Sequence, residues 1–353
     1  VGGLENTFAM ESRMRICVVG GGGAIGGYLA VALSRAGNAV TVMARGATLQ
    51  AIRERGLQLI MPESGETLHA QVHAVDRLAD AGPQDLLILA VKAHQVTPVA
   101  RDVKALLEAN PECVLIPMQN GIPFWYFQRH GGTYEGRSVE TVDPAGEVMQ
   151  LINPHQVIGC VVYPATTTEG PGIIRHVEGN RFPIGELDGK VTERATRIAE
   201  TFVAAGLKSP VLDNIRAEIW LKLWGNMTFN PISALTHGTL EGICQYPLTR
   251  ELARQMMAEA QNIANTLNIT FRVDIERRIS GAEKVGRHKT SMLQDLEAGR
   301  ALEIDALLGS VIELGRITGT PTPCLDTVFA LTKHLDQNVQ ASGAHLALPG
   351  GHV

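Results

Sequence analysis

The sequence predicts an α/β amino-terminal domain built on a doubly wound parallel sheet, followed by a mostly α-helical carboxyl-terminal domain. Three observations predict it. Short apolar runs alternate with helical patterns from Met14 to about residue 205. The first of those runs opens RICVVGGGGAIGGY, with six glycines in the eight positions 20–27. After about Asp213 long helical patterns take over.

Arg15–Val19 is an apolar strand, and Ala24–Ala36 a helix closed by Gly37. Ala39–Ala44 is a second strand; Leu57–Ile60 and Leu68–Val75 read as a hairpin. Asp85–Val91, DLLILAV, is apolar almost throughout, as strands buried on both faces are. Val96–Ala109 is a helix and Cys113–Met118 a strand. Strand-like pieces follow at Val157–Tyr163, Ile173–Val177 and Arg181–Ile184, then a helix at Thr192–Ala205. Helical patterns cover 214–229, 248–267, 271–284 and 291–318. The expected organisation is a disordered leader or tag at 1–13, a first domain at 14–212, a helical domain at 213–336 and a flexible tail at 337–353.

Bulk properties exclude several classes. A net charge of −5 leaves no basic excess for nucleic acid. The longest apolar runs, around Leu86–Val91 and Ile158–Val162, fall far short of the ~20 residues of a membrane span. The five cysteines are scattered without metal spacing, which suits a reducing cytoplasm. His69 and His73 have a helical metal spacing, but LHAQVHAV reads as a strand, where such side chains stand ~13 Å apart.

The glycines fit the Rossmann fingerprint G-x-G-x-x-G in one register, Gly21, Gly23 and Gly26. The first makes the tight turn, the second lets a pyrophosphate approach, and the third lets helix pack on strand. The loop Gly21, Gly22, Gly23, Ala24, Ile25, Gly26 then presents a helix N-terminus to the phosphates. Gly20 and Gly22 are extra to the fingerprint. The plain alternative is a structural strand-to-helix turn. At the end of the second strand stands Arg45, and no carboxylate lies between Gly26 and Glu54. An arginine there suits a ribose 2′-phosphate, so the cofactor reads as NADP(H); the alternative is a solvated loop arginine. Lys92 and Gln95 follow the strongest strand and Asn120 the next, at the sheet edge where ligands bind. Asn120–Gly121 equally suits a turn chosen for its backbone angles.

In NIRAEIWLKLWGNMTFNP, residues 214–231, Glu218, Lys222, Asn226 and Asn230 recur every four residues and share one helix stripe. A solvent face would also give a polar stripe, but asparagines are poor helix formers. The sharper reading is a lysine and two asparagines lining a cleft. A cleft lysine can donate a proton to an alkoxide formed from a ketone. In KTSMLQDLEAGRALEID, Ser291 with Gln294 resembles a capping box, and Glu303 falls farther along the same expected helix.

These segments together (VVGGGGAIG, VKAHQ, QNG, NIRAEIWLKLWGNMTFNP and SMLQDLEAGRALEID) resemble the ketopantoate reductase family, over about residues 15–335. The resemblance implies a Rossmann domain, a helical domain and an active site in the cleft between them. It implies NADPH-dependent reduction of 2-dehydropantoate to (R)-pantoate, towards pantothenate and coenzyme A. By position, Lys222 matches the proton donor and Glu303 the glutamate near lysine and cofactor. Asn226, Asn230 and Ser291 match substrate positions, and Asn120 the asparagine near the nicotinamide. Arg45, Lys92 and Ala165 match cofactor positions. Two departures bear on substrate choice: an apparent insertion at 132–154, and 236–242, THGTLEG, which lacks an expected asparagine. The rivals are a reductase of a branched or aromatic 2-oxo acid, of mandelate type, and a non-catalytic NADP(H) sensor. The expected partner is a small 2-oxo acid; a homodimer through the helical half is compatible with the pattern.

Overall fold

The computed structural model describes residues 13–62 and 64–346. The leader expected at 1–13, save its last residue, and the tail from 347 onward lie outside the described residues. The chain forms two compact units. The first holds the chain up to Gln119, Phe127–Arg137 and Gly146–Ile215; the second holds Asn120–Tyr126, Ser138–Ala145 and the chain from Arg216. The sequence expects one cut at 212/213. Instead two early segments join the second unit, because their bonding partners are in the later helices.

The strands of the first unit are β1 (Arg15–Val19), β2 (Ala39–Met43), β3 (Leu57–Ile60), β4 (Thr67–Ala70), β5 (His73–Val75), β6 (Leu86–Leu89), β7 (Val114–Pro117), β8 (Ile158–Cys160), β9 (Ala165–Gly170), β10 (Ile173–Glu178) and β11 (Ile184–Glu186). Its helices are α1 (Ala24–Arg35), α2 (Gly46–Arg55), α3 (Ala100–Ala109), α4 (Glu147–Leu151) and α5 (Glu193–Ala204). Five strands make a parallel sheet in the order β5-β2-β1-β6-β7. β6 and β7 are buried along their whole length, so the sheet is covered on both faces. Ile16, Val18, Leu29, Leu33, Val42 and Ile88 form the centre of its core. A second sheet, β4-β3-β10-β9, packs on α1, where Gly27 leaves room for the Ile174 side chain.

One strand differs from the sequence expectation, and one helix was not expected. Leu68–Val75 is not one strand of a hairpin. Thr67–Ala70 pairs antiparallel with β3, while His73–Val75 crosses to pair parallel with β2. Alternation alone does not reveal that the chain changes sheets at Gln71–Val72. His69 and His73 thus sit in different sheets, and no metal-binding cluster occurs among the described residues. The unexpected helix is α2, which the pattern does not announce. Only Leu49, Ala51 and Ile52 are buried on it, too few to mark a helical face.

The second unit carries α6 (Ile215–Thr236), α7 (Leu240–Gln245), α8 (Pro247–Thr266), α9 (Ile275–Glu283), α10 (Ser291–Glu297), a π turn (Asp305–Gly309), α11 (Ser310–Thr318) and α12 (Pro323–Ser342). α6 runs past the expected end at 229 and carries Pro231 inside it. The helix expected over 291–318 is broken. α10 ends at Glu297, and the Arg300 amide turns back to the Asp295 carbonyl at 2.8 Å, closing the helix end. The tail expected from 337 begins inside α12, whose buried residues Leu325, Val328, Thr332, Asp336 and Val339 follow helical spacing. No helix among the described residues is long and apolar enough to cross a membrane.

Candidate active site

The glycine loop lies at the carboxyl end of β1. The tight turn is at Gly20, with φ +82°, not at Gly21 as the fingerprint register expects. A side chain on Gly20 would also meet the Ala90 carbonyl oxygen at 2.7 Å. The turn closes one residue earlier, where the Gly23 amide donates to the Gly20 carbonyl at 2.9 Å. Gly26 does what the fingerprint expects of it, since a methyl there would overlap the Gly20 carbonyl. Gly21 lies against Val42 and Gly22 against Thr48, while the nearest atom to a methyl on Gly23 is the Gly20 carbonyl oxygen at 3.2 Å. Ala24 and Ile25 form the first turn of α1, which has neither a side-chain cap nor an acidic residue.

A cavity of about 530 Å³ opens on this loop. Gly20, Gly22, Gly23, Arg45, Thr48 and Gln95 are among its lining residues. Arg45 is exposed at the N-cap of α2, which again has no acid in its first turn. Gln95 returns its side-chain oxygen to the Lys92 amide at 3.1 Å, so it shapes the strand end as well as lining the cavity. Lys92 and Ala165 are not among the lining residues; Lys92 is half-buried just past Val91, and Ala165 opens β9.

The polar stripe of α6 is not a solvent face. Glu218 and Asn230 are buried, Lys222 and Asn226 half-buried, and Trp220, Leu223 and Trp224 fill the flanks. Glu218 accepts a hydrogen bond from Arg272 at 2.7 Å. The Lys222 ammonium donates to Asn120 Oδ1 at 2.6 Å. Asn230 Nδ2 reaches Ser291 Oγ at 3.4 Å. The cap of α10 is Thr290, whose hydroxyl accepts from the Leu293 amide at 3.3 Å. Ser291 is therefore not the cap, and its hydroxyl faces Asn230.

Asn120 belongs to a short segment held at both ends. Gly121, with φ +88°, lies so close to the Ala306 carbonyl that a methyl would overlap it. At the other end, the Tyr126 hydroxyl accepts from Trp220 Nε1 at 2.6 Å and its carbonyl from Arg216 Nε at 2.7 Å. Burial pushes the Tyr126 phenol up to about 12, so it stays neutral.

Glu303 does not continue the helix of Ser291. It stands in the lead-in to the π turn, one turn before Ala306. α12 grips both sides of it: Asp336 accepts from the Leu302 amide at 3.1 Å, and Lys333 pairs with Asp305 at 2.5 Å. Sequence reasoning missed Asp336, Lys333 and Ala306. The periodicity of 323–342 signals α12, but nothing local says what it holds.

Residues 16–189 match the family model "Ketopantoate reductase PanE/ApbA", and residues 214–336 match its C-terminal counterpart. A 2-dehydropantoate 2-reductase of Mesorhizobium japonicum is 51% identical over 91% of this chain and 98% of its own. The chain belongs to the ketopantoate reductase family. A solved family chain from Ralstonia solanacearum MolK2 is similar at 41% identity and a TM-score of 0.87, over 93% of this chain and 99% of that one. A D-mandelate dehydrogenase solved with NADH shares the fold, at 21% identity and a TM-score of 0.77, over 92% of this chain and 99% of that one.

A ketopantoate reductase needs a dinucleotide site, and the first unit fits one. Bare glycine backbone and the uncapped start of α1 border the cavity, with Arg45 on its rim. The apparent insertion at 132–154 is ordered and divided between the units. Its 138–145 stretch is pinned in the second unit by Glu313, which accepts from the amides of Glu140 and Thr141, both at 2.7 Å. The 236–242 stretch forms the left-handed turn at His237 and the cap of α7 at Thr239.

Proposed function

We propose that this chain reduces 2-dehydropantoate to (R)-pantoate with NADPH, on the way to pantothenate and coenzyme A. The observation that carries the reading is the Lys222–Asn120 hydrogen bond, in a family whose 51% identical member is a 2-dehydropantoate 2-reductase. NADPH, when bound, supplies the hydride. Gly21, Gly22, Gly23, Ala24, Ile25 and Gly26 would receive its phosphates and Arg45 its 2′-phosphate, and Lys92, Gln95 and Ala165 would contact other parts of the cofactor. Lys222 stabilises the alkoxide and gives it a proton. Asn120 orients the ammonium, and Asn226, Asn230 and Ser291 bind the carboxylate and hydroxyl of the substrate. Glu303, which by the family resemblance matches a glutamate close to the lysine, would add a carboxylate that favours the ammonium.

A second reading, a reductase of a branched or aromatic 2-oxo acid, draws support from 236–242, THGTLEG, which lacks the asparagine expected after the Asn230–Pro231 pair. The test follows NADPH absorbance with purified protein and a panel of 2-oxo acids, then repeats it with NADH. Fast turnover of ketopantoate supports the first reading; turnover of another acid alone discards it. Arg45→Ala should cut the preference for NADPH by roughly tenfold to a hundredfold, the worth of charge-assisted bonds to a phosphate.

A further inference from the structure

The Ala306 carbonyl oxygen is where the Asn120 segment meets the element carrying Glu303. In the π turn the Ser310 amide donates to Asp305, five residues back. An α-helical turn would direct it to Ala306 instead. The Ala306 oxygen receives the fully buried Ser310 hydroxyl at 2.6 Å and the Ile122 amide at 3.3 Å. A carbonyl has two lone pairs, and these donors take one each. Single π turns of this kind recur at functional sites.

We propose that Ser310 is a positioning residue for the reduction. Its hydroxyl fixes the Ala306 carbonyl, which sets where the Gly121–Ile122 turn docks and so holds the Asn120 oxygen on the Lys222 ammonium. A serine bonding back to the carbonyl four residues earlier is common in helices. Here that carbonyl also accepts from the Asn120 segment, which gives the bond a consequence beyond its own helix. The inference rests on Lys222 as proton donor.

The test is Ser310→Ala, with Ser310→Cys as a variant that keeps a donor at the same position but a weaker and longer one. In Ser310→Ala, kcat should fall about tenfold to a hundredfold, the cost of a misplaced catalytic group. NADPH affinity, measured by fluorescence titration, should stay unchanged. In an Asn120→Ala background the same change should cost nothing more, because the two act through one contact. The deciding readout does not need turnover. Carbon-13 NMR of the lysine side chains, with Lys222 assigned by Lys222→Arg, should show Lys222 titrating at lower pH in Ser310→Ala, since a bond favouring the ammonium is weakened. The charges beside Lys222 on α6 stay in place: Glu218 with Arg272, and Arg278 over Gly225. Ser310→Cys should shift the same way by less. An unchanged Lys222 titration, or additive losses in the double variant, overturns the proposal. A wild-type protein inactive on every 2-oxo acid would overturn the functional reading alone, and the titration would still decide the role of Ser310.

Discussion

Two glycine turns do the same mechanical job in different company. Gly20 follows β1 and Gly121 follows β7, and their φ values are +82° and +88°. Each lies against a carbonyl oxygen that a side chain would strike. Gly20 meets Ala90, at the end of the neighbouring strand in its own sheet. Gly121 meets Ala306, in a π turn of the helical unit. The first closes a local strand–turn–helix, and the second draws a loop out of the sheet to serve a lysine. A local pattern can specify the angle of a turn but not a docking partner distant in sequence.

The strongest way to break this comparison is Lys222→Ala. Turnover should drop by roughly 100- to 10,000-fold, the usual worth of a positioned proton donor. NADPH affinity should barely change, because the glycine loop and Arg45 belong to the other unit. Equal losses of both would mean that Lys222 serves the fold or the cofactor. The glycines come next. Gly20→Ala and Gly121→Ala each force a left-handed residue against a carbonyl, at a cost on the order of 1–3 kcal/mol. The losses should differ in kind. Gly20→Ala should weaken NADPH binding first, and Gly121→Ala should lower kcat more than NADPH affinity. Fluorescence titration and steady-state rates on the same two proteins separate them, and a reversed pattern would end the comparison.

The same contrast decides what could be read from the sequence. β1, β2, β6, β7 and α1 were legible, because apolar runs and glycines are local signals. The Lys222, Asn226, Asn230 stripe was legible as a stripe, and its burial was inferred from the asparagines rather than seen. What stayed hidden depends on distant partners. Leu68–Val75 splits because β2 captures its second half. The helix holding Ser291 ends early, and Glu303 is held from α12 instead. The α10 cap moved by one residue, from Ser291 to Thr290, because both positions carry a hydroxyl. Nothing in QNG says that Asn120 leaves the sheet for Lys222.

The smallest expected effect sharpens the picture of the first unit. β1 and β6 are joined near Gly20 at their carboxyl ends. At their amino ends Arg15 and Asp85 close the pair, with the guanidinium 2.5 Å from one carboxylate oxygen and the Arg15 amide 2.9 Å from the other. The hydrogen bond from the Arg15 side chain holds the Asp85 carboxyl below its usual range. A depressed folded pKa sets the sign. The pair stabilises the fold above the unfolded carboxylate range of ~3.9, and that stabilisation is lost as pH falls through the folded value. Solvent reaches both partners, so the contribution should be at most about 1 kcal/mol. Asp85→Asn should therefore lower the denaturation midpoint slightly at neutral pH and leave it unchanged once the wild-type carboxyl is protonated. Chemical denaturation across that range reads the difference. If the two proteins stay equally far apart at acid pH, packing rather than charge ties these strand ends.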